Sequence, residues 1–201
     1  MRNTLALIIV LALGTPAVAA DAMPTINNFY VEAFGGLRVP DNLKYDGTAQ
    51  DLGIGTSLGA GFGVDTSIPG VSVDLDYLHS SANYSRLGTA LDSQSLMLNG
   101  QYTIDLNMGI KPYAAVGLGG VNVTYKSSDS GNALAYQLKL GATGPLTNQV
   151  SWFGEYRYQQ AVGEVTVGSP GYPVEYASHS ILGGIKLSFG DSSSGAGSTG
   201  Y

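Results

Sequence analysis

The sequence predicts an all-β fold, a single up-and-down antiparallel transmembrane β-barrel of about eight strands. Three observations predict it. Apolar residues recur with a period of two in segment after segment, the spacing of a strand with two unlike faces. Charged residues make up 12% of the chain, about half of the ~25% usual in soluble domains. Short connections alternate with longer polar ones, as turns and loops do at the two ends of a membrane barrel.

Composition narrows the class further. There are 29 glycines in 201 residues, about twice the ordinary share, yet 44% of residues are hydrophobic, too many for a disordered chain. Nine Lys+Arg stand against fifteen Asp+Glu, a net charge of −6, so no basic field is available for nucleic acid. Cysteine is absent, which excludes disulfides, thiolate nucleophiles and sulfur-ligated zinc.

The N-terminus reads as an export signal. Arg2 precedes an apolar run from Leu5 to Leu13, followed by Gly14, Pro16 and the small residues Ala17 to Ala20. That run is too short to cross a hydrocarbon core, which needs about twenty residues. Residues 1–20 are therefore assigned to a signal peptide, 21–190 to the barrel and 191–201 to a Gly/Ser-rich tail.

The first strand sets Phe29, Val31, Ala33, Leu37 and Val39 against Glu32 and Arg38. The second alternates Leu52, Ile54, Thr56, Leu58, Ala60, Phe62 and Val64 with Gly53, Gly55, Ser57, Gly59, Gly61, Gly63 and Asp65. A helix would lose on the order of 1 kcal/mol at each of those glycines, so a strand with a nearly bare face is the better reading. After a turn at Ile68-Pro69-Gly70, the third strand sets Val71, Val73, Leu75 and Tyr77 against Ser72, Asp74 and Asp76. The fourth opposes Leu96, Leu98, Gly100, Tyr102 and Ile104 to Met97, Asn99, Gln101, Thr103 and Asp105.

The fifth, Lys111 to Tyr125, changes phase between Leu118 and Val121, which suggests a β-bulge at Gly119-Gly120. The sixth opposes Leu134, Tyr136, Leu138 and Leu140 to Gln137 and Lys139. The seventh sets Val150, Trp152, Gly154, Tyr156 and Tyr158 against Phe153, Glu155 and Arg157, and the eighth sets Ile181, Gly183, Ile185, Leu187 and Phe189 against Gly184, Lys186 and Ser188.

A soluble barrel would turn the apolar face inward and cover the outside with charge. The polar faces here hold mainly Gly, Ser, Asn, Gln and Thr, so the apolar faces are assigned to lipid. Thirteen tyrosines are available for interfacial girdles, and Tyr30, Tyr77, Tyr102, Tyr113, Tyr136, Trp152 and Tyr158 are the candidate membrane-interface aromatics, with Tyr125 and Tyr176 also near strand ends.

The segments VDLDYLHS (Val73 to Ser80), KPYAAVGLGG (Lys111 to Gly120), WFGEYRYQ (Trp152 to Gln159) and SILGGIKLSF (Ser180 to Phe189), in this order and spacing, resemble the small eight-stranded outer-membrane barrels, the OmpA-like and opacity-type porin-family proteins. The resemblance runs from Asn27 to about Phe189. It implies a Gram-negative-type outer membrane, contact with its lipid and lipopolysaccharide, and delivery by the barrel assembly machinery. Family members usually end on an aromatic; here Phe189 is followed by the tail to Tyr201.

With apolar faces outward, the lumen collects Glu32, Arg38, Asp65, Asp74, Asp76, Asp105, Lys139, Glu155, Arg157 and Lys186. Glu32, Arg38, Glu155 and Arg157 are the expected centre of that charge network. Eight strands leave room for little beyond side chains. Two readings follow: an ion-paired plug in a protein of structural, envelope-stabilising role, or a narrow, weakly cation-selective path beside the bare glycine face. A third places ligand binding or adhesion in the long loops, where Asp41, Asp46, Asp51, Asp92, Asp129, Glu164 and Glu175 outnumber Lys44, Arg86 and Lys126.

Catalysis is not expected, because His79-Ser80 and His179-Ser180 fall on non-neighbouring strands with both histidines in the lipid phase. Gly59-Ala60-Gly61-Phe62-Gly63 and Gly117-Leu118-Gly119-Gly120 open no helix, so no nucleotide site is expected. No cofactor and no metal site is implied, and no loop ligand can be named.

Overall fold

β-branched, aromatic and glycine-rich segments of period two can bury one face only by joining edge to edge, and closing the sheet removes the last unpaired edges. The computed structural model describes residues 26–40, 43–45, 48–50, 53–83, 90–125, 129–163, 165–167, 172–174 and 176–189. The expected signal peptide and tail lie outside these residues, as do Asp41, Asp46, Asp51, Arg86, Lys126, Glu164 and Glu175 of the loops.

Eight long strands form one closed barrel: β1 (Ile26–Pro40), β2 (Gly55–Thr66), β3 (Val71–Asn83), β4 (Ala90–Thr103), β5 (Lys111–Tyr125), β6 (Asp129–Pro145), β7 (Val150–Ala161) and β8 (Ala177–Phe189). Each pairs antiparallel with its chain neighbours, and β1 closes on β8 from Phe29↔Phe189 to Pro40↔Ser178. Two small hairpins, Leu43–Tyr45 with Thr48–Gln50 and Val165–Val167 with Tyr172–Val174, lie in the long connections at one end. The sequence pattern predicts long polar connections there without strands of their own.

The other end carries tight turns. Gly70 (φ +78°) closes the β2–β3 turn, where the Thr66 hydroxyl donates to the Val71 carbonyl at 2.9 Å. In the β4–β5 turn Asn107 and Gly109 take positive φ, and the Asn107 N–H donates to Asp105 Oδ1 at 2.9 Å. At the β6–β7 turn the Thr147 hydroxyl accepts from the Val150 N–H at 3.0 Å.

Burial is inverted relative to a soluble protein. Asp76 and Arg157 are 0% and 1% exposed, whereas Leu118 on the outer face is 69% exposed. Val31, Leu37, Leu58, Val73, Leu98, Val116, Leu138, Leu140, Ile181 and Ile185 all face outward, giving an apolar outer surface and a polar interior, as a barrel in lipid requires. No helix among the described residues is long and apolar enough to cross a membrane.

One expectation fails at β5. Its register is continuous with β4 from Leu91↔Tyr125 to Thr103↔Tyr113, and with β6 from Lys111↔Thr143 to Tyr125↔Asp129, so there is no bulge at Gly119-Gly120. The phase change has a simpler cause: Val121 and Val123 are buried apolar residues pointing into the barrel.

Candidate functional site: the charged lumen

Inward residues from β3 to β7 meet in one network. Alternation sends Asp74 and Asp76 inward from β3, Asn99 from β4, Tyr113 from β5, Gln137 and Lys139 from β6, and Glu155 and Arg157 from β7. Lys139 Nζ lies 3.1 Å from Asp74 and 2.5 Å from Asp76. Arg157 Nη1 reaches Asp76 at 3.3 Å, while its Nη2 and Nε donate to Glu155 Oε1 at 2.6 and 3.0 Å. The Asn99 amide bridges Asp74 and Asp76 at 2.6 and 2.9 Å, and the Tyr113 hydroxyl donates to Glu155 at 2.8 Å. Gln137 donates to Asp76 at 3.3 Å and to the Asn99 side-chain oxygen. Asp76 thus accepts from four side chains on three strands.

An apolar cluster of Phe34, Leu78, Tyr113, Phe153 and Leu182 also lies inside the barrel. The Arg157 guanidinium sits 4.9 Å above the Phe34 ring centre, and Phe34 meets Phe153 edge to face at 6.1 Å. These contacts leave little room for water around the ion pairs, where their mutual attraction is strongest.

The glycine face of β2 is filled from the neighbouring strand. Tyr30, Glu32 and Phe34 of β1 pair with Gly63, Gly61 and Gly59, and a methyl group at any of these glycines would strike the side chain opposite it. The glycines are space for bulky inward groups, so the face that the sequence reads as bare is covered by Tyr30, Glu32 and Phe34. Lys186 of β8 pairs in register with Glu32, and its ammonium lies 3.8 Å from the Tyr30 ring centre.

Three groups of expected site residues need correction. Of the expected centre, Glu32, Arg38, Glu155 and Arg157, only Glu155 and Arg157 join the ion-paired network, which gathers on Asp76; Arg38 bonds Ser93 instead, and neither Arg38 nor Glu32 forms an ion pair with a described residue. Asp105 is not in the lumen: it follows the end of β4 and pairs with Lys111 across the turn at 2.6 Å, both side chains being partly exposed. A hydrogen bond from Lys111, then one from the Asn107 backbone, hold the Asp105 carboxyl below its ordinary range. Its departure leaves five acids and four bases among the residues that the alternation places inside. Tyr30 and Tyr113 are not interface aromatics; they are 1% and 6% exposed and fill the lumen against Gly63 and Gly141.

The remaining aromatics do face outward, at three heights. Tyr102 and Trp152 flank the turn end. Tyr136 and Tyr158 lie at the loop end, edge to face at 6.3 Å, with both hydroxyls donating to Gln160 at 2.5 and 2.7 Å. Tyr77 sits at the middle of β3, away from either rim. His179 stacks on Tyr156 at 5.9 Å, lies tilted against Tyr158 at 5.0 Å and shares a 2.5 Å hydrogen bond with the Tyr156 hydroxyl, on the lipid side. Sequence reasoning did not single out Asn99, Gln137 or Phe34, although the inward phase of each strand contained them.

Glu32, Asp74 and Asp76 bring carboxylate oxygens within 4.8 Å of one another, the only such acid group among the described residues. Lys139 lies against two of the three, so an ammonium already occupies the place a cation would take.

Comparison with solved structures gives the same architecture. Neisserial surface protein A superposes with a TM-score of 0.64 at 21% identity, over 80% of this chain and 97% of that one. The outer membrane protein AlkL gives 0.53 at 19% identity, over 90% and 98% of the two chains. A major outer membrane protein of Thermus thermophilus gives 0.50 at 14%, over 80% and 99%. No curated protein matches the sequence. The outer membrane protein beta-barrel domain model matches residues 5–189, and the chain therefore belongs to that family and to the bacterial outer membrane.

Proposed function

We propose that the protein is a structural barrel of the outer membrane, whose closed, ion-paired interior serves envelope integrity and not solute passage. The observation that carries this reading is the network of Lys139, Arg157, Asp74, Asp76 and Glu155, joined by Asn99, Gln137 and Tyr113, all buried. Buried charges of opposite sign held by several hydrogen bonds are costly to separate, so the network resists opening. Nothing in it supplies a nucleophile with a base and an orienting partner, and the reading includes no enzymatic role. Lipopolysaccharide around the apolar belt and the assembly machinery during insertion are the partners it entails.

Deleting the gene and measuring sensitivity to detergents and large hydrophobic antibiotics tests the role. Sensitivity is expected to rise, and a barrel with its long loops replaced by short turns should restore resistance. An intact barrier with slowed uptake of one small solute would instead support a pore. An intact barrier with lost surface attachment would move the function to the loops.

A further inference from the structure

Toward the loop end the lumen changes character, and one cation there is handled differently from the rest. Arg38 of β1 is 1% exposed, as buried as Arg157, yet it makes no ion pair with any described residue. Its Nη1 donates to the Ser93 hydroxyl at 2.8 Å, and its guanidinium lies 5.2 Å from the Tyr176 ring centre. Its Nε and Nη2 have no hydrogen-bond partner among the described residues.

Those two nitrogens form one edge of the guanidinium, with parallel N–H bonds. Arg157 uses the same edge on Glu155, both nitrogens converging on Oε1, so the molecule itself shows which partner the edge takes: an anionic oxygen. No described carboxylate lies within ion-pair distance of Arg38, and the same end of the lumen holds further donors. Gln159 Nε2 is buried without a partner, while its Oε1 stands 3.0 Å from the Tyr176 hydroxyl, which also lies 3.3 Å from Ser93. The Ser95 hydroxyl, at the next inward position of β4, is likewise buried and unpartnered. A buried guanidinium without a counter-charge is strongly unfavourable, and every orphaned group named here can donate a hydrogen bond.

We propose that the loop end of the lumen is a binding site for a small oxyanion of the phosphate or sulfate class, gripped by the Nε/Nη2 edge of Arg38 with Gln159 and Ser95 as additional donors. The fork geometry, beyond mere charge, sets the affinity.

Isothermal titration of the refolded full chain in maltoside micelles with inorganic phosphate, at constant chloride, tests it. One phosphate per barrel is expected, displaced by sulfate, absent in Arg38→Gln and at least tenfold weaker in Arg38→Lys, which keeps the charge and loses the fork. Should Arg38→Gln fail to fold, Arg38→Lys decides. Absence of saturable binding in the unaltered chain would mean that water or a loop carboxylate serves the guanidinium, and would overturn the proposal. Equal binding by both variants would show an adventitious ion only, with the same effect.

Discussion

Asp76 bonds more side chains than any other residue of the lumen, which makes it the sharpest single test of the packing. Asp76→Ala leaves Lys139 and Arg157 short of an acceptor inside the barrel, and removing one partner of a buried pair costs about 3–5 kcal/mol. Urea unfolding in lipid vesicles should show a loss of that size. A change below about 1 kcal/mol would mean that water reaches the network and screens it. Gly63→Val tests steric filling in the same way: the added branch meets the Tyr30 ring, and overpacking of this kind costs about 1–3 kcal/mol. Tyr30→Ala in the same chain should recover part of the loss by making room. The inward positions of Tyr30 and Tyr113 were written in the alternation, since Tyr30 shares the phase of Glu32 and Tyr113 opposes Val116 and Leu118, but the preference of tyrosine for a lipid boundary was placed above it. What admits an aromatic ring inside is a glycine on the partner strand, and that pairing is a property of register.

At the scale of strands and turns, the period-two pattern made nearly all of the barrel legible, because each strand carries one face for lipid and one for the interior. β5 misled because Val121 and Val123 are apolar on the inner face, and hydropathy alone cannot separate an apolar residue in lipid from one in a packed lumen. Adjacent glycines of β5 now predict opposite outcomes. Gly119→Ala would drive a methyl into the Leu96 carbonyl and Met97, whereas Gly120→Ala meets only the Ala133 carbonyl at 4.0 Å. Heat-modifiable gel mobility should show folded Gly120→Ala at the level of the unaltered chain and reduced folded Gly119→Ala. Equal yields would restore a distorted β5. The Asp105–Lys111 pair makes a pH prediction outside the membrane. The folded carboxyl titrates below its unfolded value, so its contribution is present above the unfolded range and lost as pH falls through the folded one. Carboxyl carbon NMR should place Asp105 below the ordinary aspartate range in the folded barrel and return it upward in Lys111→Ala; no movement would remove the turn pair.

For the whole molecule, low charge content and glycine-rich alternation were enough to choose a lipid-facing barrel over a soluble one, since the rule that apolar faces seek the less polar neighbour holds in both and only the location of charge differs. The choice between plug and path was not legible. It depends on how side chains from β1, β3, β6 and β7 meet across the lumen, and on Tyr30, Glu32 and Phe34 occupying the space above the β2 glycines. Conductance across a planar bilayer reads that closure, using protein whose heat-modifiable mobility shows a formed barrel. The charged, packed lumen predicts a silent membrane at all applied voltages. Discrete, cation-selective steps from the same folded protein would contradict it.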